Sequence, residues 1–148
     1  MTQEDEELLF KDLGSRLSYG VICQVDDGAA GLNDGKLVEI DISKELVRFD
    51  ADYYWDAYID DIKPYLRPLS SMAEEEFDDM FKQLYSAQEE FFRNCSNTDI
   101  IGKIIANDSV KYDWLNAHHF DYRNLIEKGL AIEVTEENNP YKMYVSTH

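Results

Sequence analysis

The sequence predicts an α+β fold, and three observations lead to it. Near the N-terminus Leu8, Leu9, Leu13 and Leu17 recur at helical spacing. From Val21 to Asp60 short runs of alternating apolar and polar residues are separated by turn-forming ones. Beyond Ser71 the apolar residues return to a helical period.

In the first helix the leading acids, from Glu4 onward, lie where they complement the positive end of the helix dipole. After Gly20, VICQV (21–25) and KLVEIDI (36–42) read as two strands. In the second, Val38, Ile40 and Ile42 alternate with Glu39 and Asp41. The loop between them, DDGAAGLNDG (26–35), holds Gly28, Gly31 and Gly35. It lacks the Lys-Ser/Thr ending of a phosphate cradle and leads into a strand where a helix N-terminus is needed, so it reads as a hairpin loop. Residues 45–49 suggest a third strand, and DYYWDAYID (52–60) a further, less regular one. The expected unit is a small antiparallel sheet or SH3-like barrel.

In IKPYLRPLSSM (62–72), Pro64 and Pro68 impose an extended course. The stretch 64–70 is expected to connect a helix-plus-β unit (1–63) to a helical unit (71–148), with the two free to share one core. Ser71 and Glu74 fit a capping box opening a long amphipathic helix to about Arg93. Its stripe of Phe77, Met80, Phe81, Leu84, Phe91 and Phe92 is the pattern of a core face. Short helices follow at 100–106 and 110–117. Asp121 is placed to cap another through Lys128, with Gly129 as its left-handed C-terminal residue. LAIEV (130–134) and YKMYV (141–145) flank TEENNP, which predicts a terminal hairpin.

Composition narrows the function. Among 148 residues, 31 acids against 14 bases give a formal charge of −17. That field repels phosphate backbones, so direct nucleic-acid binding is not expected; it suits solubility, a basic protein partner, or mimicry of DNA charge. Cys23 and Cys95 stand far apart with no CxxC or CxxH companion, which reads as two free thiols in a reducing compartment rather than a disulfide framework or zinc site. No basic, apolar leader opens the chain and no apolar run approaches the ~20 residues of a membrane span, so the expected location is the cytoplasm and no membrane partner is expected.

DWLNAHHFDYR (113–123) collects the residue types that carry chemistry. His118 and His119 can accept or donate a proton near neutrality or bind a metal, and Asp113 or Asp121 can supply a carboxylate. Adjacent side chains diverge, however, by about 100° on a helix and to opposite faces on a strand. Asp121 has a competing role as a cap, and no GxSxG or catalytic-cysteine setting accompanies the pair. No catalytic, cofactor or metal residue is therefore assigned. The candidate recognition surface is Trp114, Asn116, His118, His119, Asp121, Tyr122 and Arg123, with Phe120 as a further stacking ring; anchoring of the local turns to the core is the competing role.

The two stretches IKPYLRPLSSM and DWLNAHHFDYRNLI, in this order after a short β-rich start, resemble a family of uncharacterised small proteins of gut bacteria associated with prophages and mobile elements. This chain has Asn124 where such relatives often carry glycine, and Glu127 and Lys128 where theirs are shorter or more apolar. The resemblance implies a phage or mobile-element setting and transfers no catalytic residue or cofactor.

The expected function is that of an acidic, non-enzymatic protein-interaction module, one that modulates a host protein if the setting is a phage. The alternatives are a small hydrolase or metal-dependent enzyme built on His118 or His119 with Asp121, and a structural component of a phage assembly.

Overall fold

Helix α1 (Gln3–Arg16) starts where Thr2 can cap it: the Thr2 hydroxyl oxygen accepts from Asp5 N–H at 3.1 Å, and Glu4, Asp5 and Glu6 occupy the first turn. The structure, a computed structural model, describes residues 1–28, 31–50, 55–94 and 100–141, without the side chains of 55, 87–94 and 100–107. A single 3₁₀ turn and Gly20, at φ 71°, turn the chain from α1 into the sheet.

Strands β1 (Ile22–Asp26), β2 (Leu32–Asp41), β3 (Leu46–Asp50) and β4 (Trp55–Tyr58) form an antiparallel meander. The β1–β2 turn is shorter than the sequence suggests, because Asn33, Asp34 and Gly35 are already paired with Val25, Gln24 and Cys23. A bulge between Leu37 and Glu39 also shifts the facing of β2. Leu37 is buried and Ile40 partly so, whereas Ile42 lies past the strand end and is 73% exposed.

The stretch read as a connection is instead β5 (Ile62–Pro68), which pairs antiparallel with β1 and parallel with β6 (Phe120–Asp121) and β7 (Ile132–Glu133). Among the described residues this makes a seven-stranded mixed sheet in the order β4-β3-β2-β1-β5-β6, with β7 on β5. It does not close into a barrel. Pro64 faces Cys23 in this register, and beside it the Tyr65 carbonyl and Ile22 N–H are both bonded to the Tyr141 hydroxyl.

The principal core lies between α1 and the sheet, and it draws Leu9, Val21, Phe49, Ile62, Leu66, Leu125 and Leu130 from the whole length of the described chain. Beyond β5, α2 (Glu74–Asn94) begins later than the expected capping box. Ser71 sits in a 3₁₀ turn, donating to Pro68 C=O, and the reciprocal bond is Ala73 N–H to Glu76 Oε1 at 3.1 Å. Helix α3 (Ile100–Ala117) runs unbroken where two short helices were expected, because packing on α2 outweighs the weak helix formers 107–109.

The 121–129 segment is a pair of turns rather than a regular helix, ended by Gly129 at φ 76° as the sequence indicates. Residues 132–133 pair in parallel with β5, so the strand expected to open a terminal hairpin joins the main sheet. The partner expected at 141–145 lies, beyond Tyr141, outside the described residues, as does Cys95.

Candidate functional site

The motif 113–123 sits where α3 ends and β6 begins, and most of its side chains are engaged internally, while Tyr122 also lines a groove between α2 and α3. Trp114 is buried, donates from Nε1 to Asp79 Oδ2 at 3.0 Å, and lies between His118 (ring centroids 3.9 Å apart) and Phe120 (5.8 Å). Its carbonyl faces His118 Nδ1 at 2.9 Å. A carbonyl only accepts, so Nδ1 is the donor in this contact. Buried Asn116 accepts through Oδ1 from the Tyr122 hydroxyl at 2.8 Å.

His119 goes elsewhere. At φ 64° it is left-handed, which reverses the chain between α3 and β6 and points its ring onto Tyr141, with centroids 3.8 Å apart and planes 9° from parallel. Its carbonyl accepts from Arg67 N–H at 2.8 Å. Burial, with Arg16, His118 and Arg67 nearby, pushes its pKa down to about 3, so the imidazole is neutral at physiological pH. Its Nδ1 is buried with no hydrogen-bond partner among the described residues, as is Nη1 of Arg16.

Asp121 caps the turns that stand where the sequence suggested a helix: Oδ1 accepts from the N–H groups of Arg123 and Leu125, and Oδ2 from that of Ile126, at 3.0 to 3.3 Å. Asn124 then takes φ 59°, a conformation asparagine tolerates better than other residues bearing a side chain, so the turn survives without glycine. Asp113 lies beside the Tyr19 hydroxyl, where burial and that carboxylate raise the tyrosine's pKa.

The pairing that acid–base or metal chemistry would need is therefore not formed. Among the described residues no hydrogen bond or ion pair joins either imidazole to Asp121. Nor does any group of three His, Cys, Asp or Glu side chains stand ready to hold a metal ion. Cys23 is buried, and burial raises its thiol pKa, so it stays protonated.

Residues that the sequence reading passed over hold this motif in place. Arg16, fully buried, donates from Nε to Asp12 at 2.9 Å and from Nη2 to Phe120 C=O at 2.6 Å. Arg123 donates from Nη1 to the other oxygen of Asp12 at 2.8 Å. One buried carboxylate thus ties α1 to both ends of the β6 turn. Arg67 of β5 grips Glu76 through both terminal nitrogens, at 2.8 and 2.6 Å, while its guanidinium lies 4.1 Å from the centre of the Phe120 ring. The Tyr141 hydroxyl donates to Tyr65 C=O at 2.8 Å and accepts from Ile22 N–H at 3.1 Å. The signal for Asp12–Arg16 was present, an i,i+4 ion pair beside Leu9 and Leu13; Arg67 and Tyr141 had none.

What the fold leaves open is on α2. Phe77 and Phe81 are 53% and 60% exposed, although their spacing suggested a core face, and Tyr85 beside them is 57% exposed; Phe91 and Phe92 lie outside the described side chains. The neighbouring row turns inward, where Met80 packs with Met72 and Tyr122 on Trp114, Leu115 and Phe120. Between the start of α2 and the end of α3 runs an open groove of about 610 Å³, lined by Leu69, Met72, Phe77, Met80, Tyr112 and Leu115 among others.

An open, mixed sheet with α1 on one core and an α2–α3 pair on a second places the chain among α+β proteins. No known protein family, curated protein or solved structure matches it. Among the described residues no helix is long and apolar enough to cross a membrane.

Proposed function

We propose that this protein is a non-enzymatic interaction module that binds another protein, and that the binding face is α2 with its adjoining groove rather than the His118–His119 motif. One observation carries the reading: three large aromatic side chains stand in a row on the surface of a helix, beside an apolar groove, whereas Trp114 and Phe120 close by are buried in a packed cluster. The motif residues favour the same assignment by being engaged with one another. Trp114, Asn116, Asp121 and Arg123 are held by internal bonds, so they set the shape of the neighbourhood instead of facing a partner. The resemblance of the two motif stretches to phage-associated proteins supports a partner in a bacterial host, and the strong negative charge supports a basic one.

The test is affinity capture from bacterial lysate on the immobilised protein, competed by the untagged protein, at low and moderate salt. A partner whose recovery saturates and is abolished by competitor supports the proposal. Absence of any competable partner at both salt concentrations would remove it.

A further inference from the structure

We infer that the α2 groove takes a cationic amphipathic helix from the partner, laid against Phe77 and Phe81 so that its basic residues meet Glu74 and Asp78. This deepens the interaction-module reading and rests on it. The shape argues for a helix. The groove lies between two helices, and its walls carry side chains at i,i+3 spacing on α2 (Glu74, Phe77, Met80) and i,i+4 spacing on α3 (Lys111, Leu115), the relief into which a third helix packs. Its floor holds Met72 and Met80, unbranched and polarisable side chains that adapt to an incoming apolar face.

The charge argues for a basic partner. On α2, Glu74, Asp78 and Lys82 each lie three residues before Phe77, Phe81 and Tyr85, so they form the row adjoining the aromatic ridge on its outer side. From Glu74 to Ser86 there are five acids and one lysine. Two of those acids are engaged, Glu76 with Arg67 and Asp79 with Trp114, which leaves Glu74, Glu75 and Asp78 exposed along the helix. Lys111, the basic residue of the groove lining, lies 3.8 Å from Asp108 and over the Tyr112 ring. A second copy of the chain fits poorly, because a two-fold pairing through this face would set one acidic row against another in molecules of charge −17. An anionic bilayer is disfavoured for the same reason.

The experiment uses the full chain and two fluorescein-labelled peptides of ~18 residues and identical lysine and leucine composition. One has its leucines at i, i+3, i+4, i+7 spacing and the other has them dispersed. Fluorescence anisotropy should give at least about tenfold tighter binding for the amphipathic peptide, and a loss of about tenfold or more in Phe77→Ser/Phe81→Ser, which keeps the net charge. Glu74→Gln/Asp78→Asn should weaken binding several-fold at about 0.05 M salt and have little effect at about 0.5 M. Circular dichroism checks that each variant stays folded; since both phenylalanines are more than half exposed, the serine variant is expected to. Equal binding of the two peptides, or equal binding to wild type and the serine variant, would overturn the inference, as would a dimer in light scattering that the serine variant abolishes. If a competable lysate partner is retained under any of those results, the groove assignment fails and the broader interaction reading stands.

Discussion

Replacing Tyr141 by phenylalanine isolates a single hydroxyl on which two strands depend. The β1–β5 register pairs Val25 with Ile62, Gln24 with Lys63 and Cys23 with Pro64, so the next rung would join Ile22 to Tyr65. The Tyr141 hydroxyl occupies that rung, accepting from Ile22 N–H and donating to Tyr65 C=O. Both residues are buried. Phenylalanine keeps the ring stacked on His119 but leaves one backbone donor and one acceptor without partners, each costing about 1–3 kcal/mol. The expected loss is about 2–6 kcal/mol, which for a chain of this size lowers Tm by roughly 5–20 °C. Urea unfolding followed by tryptophan fluorescence measures it, with an unchanged m-value as the sign that the same surface unfolds. Tyr58→Phe, on an exposed ring, is the control and should change little. A loss under about 0.5 kcal/mol for Tyr141→Phe would refute the claim that this hydroxyl completes the ladder.

Three further outcomes follow from the same contacts. His119 is neutral when folded and titrates near 6.5 when unfolded, so on acidification the unfolded chain takes up a proton that the folded one does not; stability therefore falls as pH drops below about 6.5. Between pH 7 and 5.5 the loss is about 1 kcal/mol, and His119→Asn, which tolerates the left-handed backbone, should remove it in urea melts at the two pH values. Asp12→Ala leaves Arg16 buried without its anion and should cost about 3–5 kcal/mol by chemical denaturation. Glu76→Ala removes both the Arg67 fork and the bond to Ala73 N–H, and should cost about 1–3 kcal/mol. Because Arg67 holds the Glu76 carboxyl below its ordinary value, this contribution is present at neutral pH and is lost as pH falls through that depressed value, so the wild type and variant should converge in acid.

Local rules account for what the sequence revealed and for what it did not. Thr2, Asp121 and Gly129 act through bonds within a few residues, and α1, the meander and the turn after β6 follow from such short-range signals. The proline-containing stretch misled because proline reports an extended backbone without saying whether another strand lies alongside. Its partners at Cys23, Phe120 and Ile132 are between 40 and 70 residues away. The motif at 113–123 left its role open for a different reason: the same histidine, aspartate and arginine types that build an active site also build a buried polar junction. Only the positions of Asp12, Arg67 and Tyr141, contributed by three distant segments, decide between them. The α2 stripe is the most instructive case. Helical periodicity states that one face differs from the rest but not what will cover it, and a face that folding leaves half exposed carries the same pattern as one buried in a core. Phe77 and Phe81 follow the core rule in sequence and depart from it in structure. That mismatch between patterning and burial, more than the concentration of reactive side chains around His118 and His119, is where an interaction surface is to be sought.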